Sequence, residues 1–260
     1  PEALGKRAAR AIEEEILRVG PQNVAAFAGE PVQGACGVKI APDSYWPAVR
    51  RITLQRGIPL IADEVMSGFG RCGEWFAWQR HGDAGRPDAI TLAKGLTGAM
   101  MPLGAVVVSR EIAASLAGQV LVTGLTYCGH PLSCAAGVAA IDAYRDEGLI
   151  ERSRQLGAEL ARELRRLADR HRVIGDVRGG HGLFAVLELV ADRDKREPLA
   201  PWPQMPPPLA ALLQAALDEG VSFGARGNLI LVAPPLVVDE HDLANALALL
   251  DRLLARFLPT

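Results

Sequence analysis

Lysine is scarce in this chain, and one lysine stands apart from the rest. Of 28 basic residues only Lys6, Lys39, Lys94 and Lys195 are lysine, and Lys94 alone lies in an apolar setting, Ala89-Ile-Thr-Leu-Ala-Lys94-Gly-Leu. An amine held among apolar side chains loses stabilisation of its charged form. Its pKa falls, and the neutral amine becomes a nucleophile toward carbonyls. Thirty-one residues earlier, Pro59-Leu-Ile-Ala-Asp63-Glu64 ends another apolar run on carboxylates, and Asp63 suits a protonated heterocyclic nitrogen. Together the two residues meet the demands of pyridoxal phosphate, with Lys94 for the Schiff base and Asp63 for the pyridinium that makes the ring an electron sink. A buried Lys94–Asp63 ion pair uses the same two residues, and the spacing leaves both readings open.

The elements that must position this pair alternate along the chain. Leu4, Ala8, Ala11, Ile12 and Ile16 predict a helix over Glu2–Val19, stopped by Gly20-Pro21. An apolar run at Val24–Phe27, a helix over Trp46–Arg56 and strands over Ile58–Ala62 and Ala89–Ala93 follow. A strand over Gly104–Val108 then leads into a helix from Ser109. Strand, helix, strand at this spacing predicts crossover connections and a mostly parallel sheet, whose ligands bind beyond the carboxyl ends of the strands. Asp63, Glu64 and Lys94 fall at those ends. Helices from Pro131 to about Tyr144 and over Ile150–Arg172 precede a change of texture. Beyond it come Gly182–Val190, a Pro-rich loop at Pro198–Pro208, a helix to Glu219, a strand pair around Val221–Phe223 and Leu229–Val232, and a last helix over Asp239–Phe257. The expected fold is α/β, with residues 1–150 in a large domain and 151–260 in a smaller α+β domain.

Composition excludes several classes of function. With 260 residues, 49% hydrophobic and 22% charged, the chain can bury a sizeable core. A net charge of −2 offers no broad field for nucleic acid or an anionic membrane. No long uncharged apolar stretch or signal-type segment occurs, so a soluble, cytoplasmic protein is expected. Cys36, Cys72, Cys128 and Cys134 form no CxxC pair and the five histidines are scattered, which predicts no metal. Gly68-Phe-Gly70-Arg-Cys-Gly73 matches GxGxxG, but no small-residue helix follows to receive a pyrophosphate. A glycine turn that lets the backbone pass close to another segment is the better reading. No GxxxxGK[ST] loop accompanies Asp63 and Glu64, and neither Ser67 nor Ser133 sits in a GxSxG elbow.

Longer motifs carry a family resemblance. Asp63-Glu-Val-Met-Ser-Gly-Phe-Gly-Arg-Cys-Gly73, Pro87-Asp-Ala-Ile-Thr-Leu-Ala-Lys94-Gly-Leu96 and Thr126-Tyr-Cys-Gly-His-Pro131 resemble the signature of class III aminotransferases, the omega-aminotransferase branch of fold type I pyridoxal-phosphate enzymes. Glu30-Pro-Val-Gln-Gly34 and Gly227-Asn228 with Pro234-Pro-Leu236 extend the resemblance over practically the whole chain.

The resemblance implies that Lys94 is catalytic and bonds covalently to the cofactor. Asp63 contacts the pyridine nitrogen, Val65 packs on the ring face with Met66 beside it, and Thr126 reaches the cofactor phosphate of a neighbouring subunit in a homodimer with shared sites. The order within Thr126–Pro131 is closest to members acting on amines or short omega-amino acids with pyruvate. Arg226, ahead of Ala233-Pro-Pro235, is the expected anchor for the keto acid's carboxylate. Ala35 and Leu231 stand where members acting on ornithine or 4-aminobutyrate often carry Glu and Arg, and so point away from those substrates. Only 62 residues precede Asp63, and none resembles the family's Gly/Ser-rich phosphate loop, so the chain is expected to lack the N-terminal part of a longer enzyme. An aminomutase or decarboxylase on the same fold is the alternative reaction. A truncated, non-catalytic homologue serving as a dimerisation module is the alternative without one.

Overall fold

The computed structural model describes residues 1–258, and their contacts form two units. The first comprises Pro1–Gln33, Ile40–Phe69 and Glu74–Gly148, and the second Gly34–Lys39, Gly70–Gly73 and the chain from Leu149.

In chain order the first part contains α1 (Glu2–Val19), β1 (Phe27–Gly29), the two-residue strands β2 (Val32–Gln33) and β3 (Lys39–Ile40), α2 (Tyr45–Arg56), β4 (Leu60–Asp63), β5 (Ala89–Leu92), β6 (Ala105–Val108), α3 (Arg110–Ser115) and α4 (Pro131–Asp146). The α1 periodicity buries Ala9 and Ile16 against Trp46, Val49 and Ile52 of α2, and Ile58 and Leu60 join the same cluster. The first sheet runs β1-β4-β5-β6. β1, β4 and β5 are parallel, and β6 returns antiparallel beside β5. The near-continuous apolar runs of β4 and β5 reflect their central place, where both faces are covered. β6 lies at the edge, with Val106 and Val107 66% and 51% exposed.

The second part contains α5 (Leu149–Arg170), β7 (Ile174–Gly179), β8 (Ala185–Asp192), β9 (Glu197–Pro198), α6 (Pro207–Asp218), β10 (Gly224–Arg226), β11 (Leu229–Val232) and α7 (Glu240–Phe257). Its sheet is antiparallel in the order β10-β11-β8-β7, with β9 added to β8. α5 turns a stripe of Leu149, Leu156, Leu160, Leu164 and Leu167 into the core.

Two local expectations change. The strand expected at Val221–Phe223 lies three residues later, over Gly224–Arg226. The Val221 N–H is taken by Ala216 O at the end of α6, and Gly220 has φ +85°, so Val221 completes the helix terminus instead. β7 was not expected. Gly175, Asp176, Arg178 and Gly179 break its apolar pattern, yet β8 supplies the partner, and a Cβ at Gly175 would lie 2.5 Å from Val190.

Candidate active site

The two residues singled out by type are brought to one edge by strand register. Ile61, Ala62 and Asp63 pair with Ala89, Ile90 and Thr91, and the Glu64 N–H continues the ladder to Thr91 O at 3.0 Å. β4 therefore ends at Asp63 beside the stretch of β5 that runs out into Lys94. This is the carboxyl edge of a parallel pair, where such sheets hold ligands.

Asp63 is half-buried, and its Oδ1 accepts the Val65 N–H at 3.0 Å. Val65 and Met66 are half-buried in the same turn. Glu64 is fully buried and accepts three hydrogen bonds, from Ser67 Oγ at 2.5 Å and from the N–H groups of Ala77 and Trp78 at 3.1 and 2.9 Å. Burial pushes its carboxyl above the ordinary value, against these donors. Sequence reasoning missed this clamp. Its only local signal is an acid closing an apolar run, with Ser67 three residues on.

Lys94 departs from expectation. It opens a single 3-10 turn, Lys94–Leu96, with φ +43°, and it is exposed. The apolar character of its segment belongs to Leu92 and Leu96, which pack into a cluster with Ala62, Phe69 and Ile90. The left-handed backbone between them leaves the amine outside that cluster, so this chain does not itself supply the expected apolar pocket. The alternative of a buried ion pair is not seen either, since no ion pair joins Lys94 and Asp63 among the described residues.

Thr126 does not meet this edge through any contact among the described residues. Thr126 is exposed in a turn, between Leu125 at 83% and Tyr127 at 80% exposure. Arg226 belongs to the second unit. Its guanidinium lies over the Trp202 ring at 5.3 Å and donates to Ala35 O at 3.1 Å. The glycines of Gly68–Gly73 serve close approach, as read from the sequence. A Cβ at Gly68 would lie 2.8 Å from Glu64 O, and one at Gly73, with φ +78°, 3.1 Å from His181 O.

The donor set fits a pyridoxal-type cofactor. It joins an accessible primary amine to a carboxylate whose Oδ2 takes no hydrogen bond among the described residues. Thr91, register partner of Asp63, adds a buried hydroxyl with no hydrogen-bond partner. Unpaired polar atoms at strand ends that lead toward an exposed amine suit a polar heterocycle better than a closed core.

Comparison with known proteins identifies the family. Residues 2–254 match the aminotransferase class-III family. The putrescine–pyruvate aminotransferase of Pseudomonas aeruginosa is 39% identical over 253 residues, covering 96% of this chain and 53% of that protein. The diaminobutyrate–2-oxoglutarate transaminase of Halomonas elongata is 37% identical over 254 residues, covering 95% of this chain and 53% of that protein. Among solved structures, an amine transaminase from an uncultivated Pseudomonas species, in the pyridoxal-phosphate-bound internal aldimine form, superposes with a TM-score of 0.92 at 37% identity. It covers 99% of this chain and 58% of its own. The chain spans about half the length of the curated relatives it matches.

Proposed function

Because the chain belongs to the class III aminotransferases, of fold type I, we propose that it is the lysine-bearing part of an enzyme that moves an amino group from an amine or omega-amino acid to a keto acid such as pyruvate. The observation that carries this reading is the register of β4 against β5, which sets Asp63 and Lys94 on one sheet edge. The cofactor of the family is pyridoxal 5'-phosphate. When bound, it supplies an electron sink that lets a proton leave the carbon bearing the amino group. Lys94 would hold the cofactor covalently and, once displaced by the incoming amine, carry that proton as general base. The Asp63 carboxylate would hold a proton on the ring nitrogen through a charge-assisted hydrogen bond. Val65 and Met66 would orient the ring from the turn that follows Asp63.

Thr126 would reach a phosphate across a homodimer with shared sites, which the exposed Val122, Leu125 and Tyr127 around it support. Arg226 would receive the carboxylate of the keto acid with the guanidinium edge not engaged by Ala35. The division into a cofactor domain over 1–150 and a small domain over 151–260 is supported by the two contact units. A cytoplasmic location is the reading of four cysteines whose spacing forms no disulfide framework. No helix among the described residues is long and apolar enough to cross a membrane.

The test is a panel of amine and omega-amino acid donors, with pyruvate and with 2-oxoglutarate, run on the protein that carries this chain. Keto-acid-dependent amine consumption is the expected result, abolished in Lys94→Ala without loss of fold, since the exposed side chain packs in no core. Carbon dioxide release or intramolecular amine migration would show a decarboxylase or aminomutase instead. Near-normal turnover in Lys94→Ala would overturn the reading.

A further inference from the structure

The turn that carries Lys94 is held by residues to which the proposed chemistry gives no part. Lys94 has φ +43°, a region that a residue with a long side chain occupies only where its surroundings over-determine it. The next residue, Gly95, is pressed against Phe69, and a Cβ built on it would lie 2.8 Å from the Phe69 Cβ and 3.1 Å from its ring. Phe69, itself at φ +54°, stacks on Tyr144 of α4 with ring centres 5.8 Å apart and 26° between the planes. It meets Phe76 edge-on at 5.6 Å. The Tyr144 hydroxyl then donates to Gly95 O at 2.8 Å. α4 comes this close because Gly137 faces the same turn, where a Cβ would meet Leu103 at 3.0 Å and Leu96 O at 3.6 Å.

We infer that Tyr144 is a positioning residue for Lys94. Its hydroxyl on the Gly95 carbonyl, backed by the Phe69 stack, locks the Gly95–Leu96 peptide, one residue beyond Lys94, and so fixes the turn from which the amine leaves the sheet edge. The inference rests on the proposed role of Lys94 and adds the device that aims it. Aim matters here because the lysine must meet first a carbonyl carbon and then a proton, and small misplacements of a reacting group cost rate steeply. Neither Tyr144 nor Phe69 need touch substrate or cofactor. A tyrosine that merely packed α4 on the sheet would make the same stack, but its loss would cost stability and leave the reactivity of Lys94 unchanged.

The test uses the protein that carries this chain, with pyridoxal phosphate followed by borohydride as the probe, and follows the rate of label at Lys94 by peptide mass. Thermal midpoint and kcat with the fastest donor of the panel above are measured on the same samples. Tyr144→Phe keeps the stack and removes the hydroxyl. It should slow labelling of Lys94 and lower kcat by about threefold to tenfold, the fold-change of one lost hydrogen bond, with KM for the amine nearly unchanged. Gly95→Ala, which drives a methyl into Phe69, should lower both further. If Tyr144→Phe labels and turns over at the unsubstituted rate, whatever its thermal midpoint, the positioning role is overturned while Lys94 keeps its own. If the unsubstituted protein takes no label at Lys94, the functional reading falls and this inference with it.

Discussion

Asp88 grips Arg50 with both carboxylate oxygens, at 2.5 and 2.9 Å, while also accepting the Leu60 N–H at 2.8 Å. Its own N–H returns to Leu60 O at 2.8 Å, and its carbonyl takes the Ser109 N–H at 2.7 Å. One residue thus joins α2 to the start of β4, the start of β5 and the end of β6. The register that sets Asp63 against Thr91 begins at this junction.

Loss of that junction should cost stability with a defined pH dependence. Burial alone would raise the Asp88 carboxyl, but hydrogen bonds from Arg50 and Leu60 N–H, with the guanidinium charge, hold it below its ordinary 3.8. A lowered folded-state pKa gives stability that is complete above the unfolded-state value and is lost as pH falls through the folded one. Asp88→Asn should therefore lower the urea-unfolding free energy by about 2–3 kcal/mol at neutral pH, with the deficit shrinking as pH falls below the ordinary 3.8. A constant deficit across that range would remove Asp88 as the titrating group.

Glu64 should show the opposite pH dependence. Its folded-state pKa is raised, chiefly by burial, so its contribution is complete below the ordinary 4.5 and declines as pH rises through the folded value. Glu64→Gln does not titrate but meets three donors with one acceptor oxygen, and should be less stable by about 1–3 kcal/mol near pH 4. That deficit should narrow as pH rises, read as the gap between the two urea midpoints. A gap that widens with pH would mean that the buried carboxylate is stabilised in its charged form.

Asp63→Asn should separate cofactor retention from turnover. An amide keeps the shape of the side chain and its acceptor for Val65 N–H, but cannot hold a charged ring nitrogen. Part of the cofactor should remain bound, seen by visible absorbance, while kcat/KM falls at least about tenfold. Unchanged turnover would show that the strand end has been assigned the wrong role.

Arg226→Ala should discriminate between the two substrates. If its guanidinium receives the keto acid, KM for that acid should rise about tenfold and KM for an uncharged amine donor should change little. Equal losses toward both would make the contacts with Trp202 and Ala35 its whole role.

What the sequence determined by itself was the family and the order of the candidate residues along the chain. Lys94 stood out as a lysine in an apolar run and Asp63 as an acid closing another, while the motifs from Asp63 to Pro131 carried the family resemblance. These signals are local, because residue type and short spacing are what strand ends and turns require. Tertiary structure decided how the residues meet. Lys94 proved exposed because the apolar pattern around it serves Leu92 and Leu96, and a left-handed turn between them separates the amine from its neighbours. Glu64 became a buried clamp only because Ala77 and Trp78 fold back onto it, and β7 became a strand despite its glycines because β8 supplied a partner. The register beneath the site depends on Asp88 meeting Arg50, 38 residues away, and a hydrogen bond over that separation leaves no periodicity to read.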